Sequence, residues 1–159
     1  MSSTAAAHDI IRAHQTSSPV DVVALAEALG LKVFADALPA GVSGQIVKRP
    51  EYGSPSGYSI IVNSKEAPVR QRFTVAHEIA HFVLHKDMIG DGIQESTLYR
   101  ANGFSSKQEV EANKLAADVL MPWHLLSPIV NATPRTPAEL AEVFNVSEVA
   151  MSIRLGLPT

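Results

Sequence analysis

The sequence has 159 residues, 46% of them apolar, and a formal net charge of −3. That length and apolar share fit one folded domain with a real core, and the slight acidity leaves no basic footprint for DNA or an anionic membrane. The absence of cysteine excludes disulfides, thiolate zinc sites, iron–sulfur clusters and a cysteine nucleophile.

No apolar run approaches the ~18 residues that span a bilayer, and the N-terminal stretch has no basic region followed by a long apolar one. The expectation is a soluble, cytoplasmic, single-domain protein over residues 1–159. Helical composition opens the chain at 5–14. Ser18-Pro19-Val20-Asp21 reads as an N-cap, a first-position proline and an acidic first turn, predicting a helix through Leu29 that stops at Gly30. Residues 31–35 alternate as a strand, and 43–47 and 58–62 are further strands, with a glycine- and proline-rich loop between them. The early half is therefore expected to be a helix pair feeding a small, mainly antiparallel sheet.

From Ala67 the apolar period becomes helical. Phe73, Ala76, Ala80 and Val83 form one stripe through His85. Residues 90–103 read as a loop. A second long helix is predicted from Ser106 to Leu120, ended by Met121-Pro122. Three short helices close the chain, with N-terminal signals at Thr136 to Glu139 and at Ser147. The fold class is α+β.

Within the first long helix lies His77-Glu78-Ile79-Ala80-His81. Four residues is just over one turn, so both imidazoles leave one face and can reach one ion. Glu78 is displaced by about 100° and can contact a water on the metal rather than the metal itself, taking its proton during attack on a carbonyl. The bland alternative is two polar residues on a helix surface. Against it, all three interrupt an apolar segment, where buried imidazoles need partners. Without cysteine, a third ligand must be His, Glu or Asp.

The second helix offers Glu109, Glu111 and Asp118. Glu109, Ala112, Asn113, Ala116 and Leu120 share a face whose alanines permit close helix approach, and Asn113 could fix the tautomer of a ligand histidine. Glu109 is the choice, with Glu111 as the alternative on a less suitable face. Ser106 to Glu109 also fits a capping box, in which the glutamate would bind its own helix's amide, and spacing leaves both readings open. His85 fits a core or supporting role better than a fourth ligand. His124 reads as a packed surface histidine, and Arg70 and Arg72 as structural ion-pair partners.

With these residues in hand, the chain resembles the ImmA/IrrE family of metallopeptidases. The likeness is most specific from Arg70 to His85 and from Glu109 to Pro122, and extends over about 19–157. It implies a zincin-like fold in which His77, His81 and Glu109 bind Zn2+ (or Mn2+ or Co2+) and Glu78 is the general base. Leu115 stands where many members have phenylalanine, which affects packing rather than chemistry. The resemblance also implies a protein substrate: a helix-turn-helix transcriptional repressor, or an antitoxin-like partner in a toxin–antitoxin system.

Two rival readings are a non-catalytic metal-binding sensor or interaction module, and a DNA-binding regulator. The second rests on the helix–turn–helix rhythm of residues 138–155. Its would-be recognition helix carries Glu148 and a single basic residue, Arg154, where a DNA reader needs several. No direct contact with nucleic acid or membrane is expected.

Overall fold

The computed structural model describes residues 3–90 and 103–158. The loop expected at 90–103 lies, apart from its ends, outside the described residues. Among those described, the chain forms α1 (Ser3–Ala13), α2 (Val22–Ala28), β1 (Lys32–Asp36), β2 (Gly44–Lys48), β3 (Tyr58–Asn63), α3 (Pro68–Leu84), α4 (Ser106–Leu120), α5 (Trp123–Ala132), α6 (Pro137–Phe144) and α7 (Glu148–Arg154).

The α+β class follows as expected, but the sheet is mixed rather than mainly antiparallel. Its order is β1-β3-β2, with β1 parallel and β2 antiparallel to β3. β1 and β2 run in opposite directions, so a strand filling the gap between them must be parallel to one of them. Asn63 is buried at the end of β3. Its side chain accepts from Leu38 N and donates to the carbonyls of Leu38 and Val42, pinning the connection that carries the chain past β3.

The first short helix starts three residues later than expected. Asp21, not Ser18, is the N-cap, its carboxylate accepting from Ala24 N. Gly30 ends the helix as predicted, because the turn needs positive φ there, at 88°. Gly30 N binds Glu27 O and Leu31 N binds Ala26 O, closing the last carbonyls of α2.

α3 lies against β2, β3 and α2 on one side and packs most extensively against α4. Ile79, Ile46, Ile60, Leu25, Leu120, Leu126, Phe144 and Met151 are among the fully buried side chains of the resulting core. Arg72 ties the sheet side of the molecule to its C-terminal helices. It donates to the carbonyls of Val20, Phe144 and Asn145 at 2.9, 3.2 and 3.0 Å, so its hydrogen bonds go to backbone oxygens, and the Asp21 carboxylate acts on it through charge.

No described helix is long and apolar enough to cross a membrane.

Candidate metal centre

α3 and α4 meet along the face of each that the apolar pattern leaves for close approach. Ala112 and Ala116 of α4 are completely buried, and small side chains let the two backbones come near. His77 faces Asn113 and His81 faces Glu109. Numbers rise on one helix as they fall on the other, so the pair is antiparallel.

Capping decides what Glu109 is free to do. The N-cap of α4 is Ser105, one residue before the expected Ser106. Ser105 Oγ accepts from Gln108 N, and Gln108 Oε1 accepts from Ser105 N. Gln108 thereby fills the role that the Ser106 reading gave to Glu109, and the glutamate lies one position deeper in the helix with its carboxylate turned to α3.

Glu109 Oε1 lies 2.6 Å from His81 Nε2 and 3.2 Å from His77 Nε2, and the two Nε2 atoms are 3.1 Å apart. In a tetrahedral zinc site, ligands at about 2.1 Å from the ion stand roughly 3.4 Å from one another. Two edges of the observed triangle, 3.1 and 3.2 Å, are near that size, and the Glu109–His81 edge is drawn in to 2.6 Å, a hydrogen-bond length that would have to open to admit an ion. Two imidazole nitrogens and a carboxylate oxygen are also a donor set suited to zinc, manganese or cobalt. These residues could therefore hold one divalent ion.

Glu78 stands beside the triangle. It, His77 and His81 each present a ligand-type atom within 4.8 Å of the others. Its carboxyl is only 6% exposed. Burial, reinforced by the charge of Glu109, pushes its pKa up to about 8. His81 moves the other way. Burial and the neighbouring His77 pull it down to about 4, against the opposing pull of Glu109. It is neutral at pH 7, the form that offers a lone pair to a metal.

Other side chains hold the two imidazoles in place. His77 Nδ1 donates to Asn113 Oδ1 at 2.8 Å, the role anticipated for Asn113. His85 lies on the far side of His81, its Nδ1 3.0 Å from His81 Nδ1, and so cannot approach the Nε2 triangle. Glu111, the alternative ligand, contacts His85 Nε2 at 3.0 Å instead.

Phe104 was not anticipated. Its ring stacks on His81 at 3.7 Å and 6° between planes. It falls between the stretch read as loop and the expected start of the next helix, where no periodicity gives an apolar residue a partner.

The centre opens into a cleft of about 970 Å³ whose lining includes Gly44, Arg70, Phe73, Val110, Val149 and Ile153. Arg70 is paired loosely with Glu66 at 3.8 Å and donates to Ser43 Oγ. His124 is half-buried and bound to Gln15 O at 2.7 Å, away from this cleft. On α7, Val149 and Ile153 are 59% and 64% exposed. Arg154 is bound to Asp118 at 2.8 Å and to Met121 O, and packs over Trp123.

Comparison with known proteins adds an independent line. Residues 26–156 match the family described as IrrE N-terminal-like domain, peptidase M78. The radiation response metalloprotease IrrE of Deinococcus radiodurans is 35% identical over 127 residues, which is 74% of this chain and 38% of that protein. IrrE of Deinococcus deserti is 33% identical over 64% of this chain and 36% of its own length. The chain thus spans little more than a third of these relatives. An uncharacterized immunity region protein 2 of Bacillus phage phi105 is 28% identical over 91% of this chain and 90% of its own. Among solved structures, a Mycobacterium tuberculosis transcriptional regulator superposes with a TM-score of 0.64 at 17% identity. That match covers 97% of this chain and 46% of the regulator, a likeness of fold.

Proposed function

The chain belongs to the IrrE N-terminal-like family of M78 peptidases, a zincin-like fold, and from that premise we propose that it is a zinc-dependent endopeptidase acting on a regulatory protein. The observation that carries this reading is the meeting of His77, His81 and Glu109 at one point, with the buried Glu78 carboxyl beside them and an open cleft in front.

In this reading His77, His81 and Glu109 hold the ion. Zinc, when bound, supplies a Lewis acid that polarises the scissile carbonyl and makes water a competent nucleophile near neutral pH. Glu78 receives the proton of the attacking water and returns it to the leaving amine. Burial raises its proton affinity in the metal-free protein, and a divalent ion beside it would favour the ionised carboxylate that can accept the proton. Asn113 keeps His77 in the tautomer with a free Nε2.

The substrate we favour is a helix-turn-helix repressor or an antitoxin-like partner, met in the cytoplasm where such regulators act. The relatives' names speak of a radiation response and a phage immunity region, both regulatory settings. Val149 and Ile153, exposed on α7, support a protein partner rather than DNA, because the charge beside them is the exposed Glu148 and the one cation of α7, Arg154, is already bound within the molecule. A purely structural or sensing metal site has no use for a carboxyl placed as Glu78 is.

The test mixes the zinc-loaded protein, native or Glu78→Gln, with a purified helix-turn-helix repressor. Native protein is expected to cleave it, and the substitution to lower the rate by about 10²–10⁴-fold with zinc content unchanged. Equal cleavage by both would remove Glu78 from the mechanism, and cleavage by neither would favour the non-catalytic module.

A further inference from the structure

His81 uses both ring nitrogens. Nε2 faces Glu109, and Nδ1 lies 3.0 Å from His85 Nδ1. His85 in turn presents Nε2 to Glu111 Oε1 at 3.0 Å. The two histidine side chains are 1% and 7% exposed, whereas Glu111 is 45% exposed on the surface of α4. A carboxylate joined to solvent is thus connected, through one buried imidazole, to the rear of a second.

We propose that Glu111 and His85 form a positioning relay that fixes the tautomer and orientation of His81 and thereby sets how tightly the centre holds its ion. The proposal rests on the metal-centre reading given above. Its logic is one of donors and acceptors. Glu111 can only accept, so His85 Nε2 carries the proton and His85 Nδ1 is left with a lone pair. That lone pair requires the proton between the two rings to reside on His81 Nδ1. With an ion held between His81 Nε2, His77 Nε2 and Glu109, which lie 2.6–3.2 Å apart, that leaves His81 Nε2 bare to bind it. Phe104, flat against His81, prevents the ring from tilting out of this line.

The arrangement differs from that at His77. There a neutral amide, Asn113, acts directly on the ligand ring. At His81 the orienting group is a carboxylate but acts across an intervening ring, because His85, the C-cap of α3, lies between them and Glu111 contacts only His85. A charged acceptor polarises the chain and makes Nε2 a better electron donor. Structural neighbours of this kind commonly govern metal affinity by about 10–100-fold.

The experiment measures zinc dissociation constants by chelator competition for the native protein, His81→Ala, Glu111→Gln, Glu111→Ala and His85→Gln. It is paired with long-range ¹⁵N–¹H NMR of the histidine rings in the zinc-loaded native protein. Glu111→Ala and His85→Gln are expected to weaken zinc binding about 10–100-fold. Glu111→Gln, which can still accept from His85, should recover part of the loss. Because Glu111 is on the surface, its variants should unfold with the native midpoint when metal-free, which a merely structural role would not predict alongside lost affinity. His81 should show its proton on Nδ1. Native-like affinity in Glu111→Ala, or a His81 bound through Nδ1, overturns the relay while leaving the centre intact. If the native protein binds zinc no better than His81→Ala, the metal-centre reading itself fails, and the relay with it.

Discussion

At the scale of single residues, the account turns on two groups whose protonation is set by burial. Glu78 and His81 both lie where water is scarce, and each is driven towards its neutral form, the carboxyl up to about 8 and the imidazole down to about 4. This has a measurable consequence for the metal-free protein. An unfolded glutamate ionises near pH 4.3. A folded state that keeps its proton to about pH 8 loses stability as pH rises between these values, because the unfolded state releases the proton first. Glu78→Gln removes that dependence. The metal-free variant is expected to be more stable than native protein at about pH 8–9, by on the order of a few kcal/mol, with the difference closing below about pH 5. His81 contributes equally to both proteins and drops out of the comparison. Urea unfolding across that range checks the outcome, and a pH-independent difference would contradict the burial argument.

At the scale of elements, two short-range features bring the site together. The first is the Ser105–Gln108 capping box, which starts α4 so that Glu109 falls directly after the box with its carboxylate free of capping. Ser105→Ala should lower stability by about 1 kcal/mol, read as a lower thermal midpoint. The second is the approach of β2 to α3 at Gly44. A methyl group there would stand 2.5 Å from Ile61 O and 2.7 Å from Thr74 Cγ2. Backbone oxygen cannot move aside, so Gly44→Ala is expected to cost about 1–3 kcal/mol. A native-like midpoint would show that the sheet yields more than its packing implies. Neither feature stands out from residue patterns alone. Ser105 and Ser106 are equally good caps on paper, and only the helix geometry assigns Gln108 to one of them. The helices α3 and α4 were legible because fifteen or more residues of consistent period outweigh local ambiguity. The parallel β1–β3 pairing was not, because alternation along a strand tells which face it buries and not which strand it pairs with.

At the scale of the whole molecule, the proposed metal-binding face depends on chain segments far apart in sequence. The HExxH spacing could be read without coordinates because it lies within one turn of one helix, and Glu109 and Asn113 because they are one turn apart on the next. Which carboxylate faces which histidine was not readable. Glu109 and Glu111 are two residues apart, and the register of α4 against α3 decides that one meets His81 and the other His85. Phe104 was hidden for the same reason. The central claim is that His77, His81 and Glu109 close around one divalent ion. Its most direct test is zinc titration of the metal-free native protein beside Glu109→Ala and Glu78→Gln. One tight equivalent is expected for the native protein and for Glu78→Gln, with no tight site in Glu109→Ala. A Glu109→Ala protein that still binds one zinc with native affinity would contradict the account.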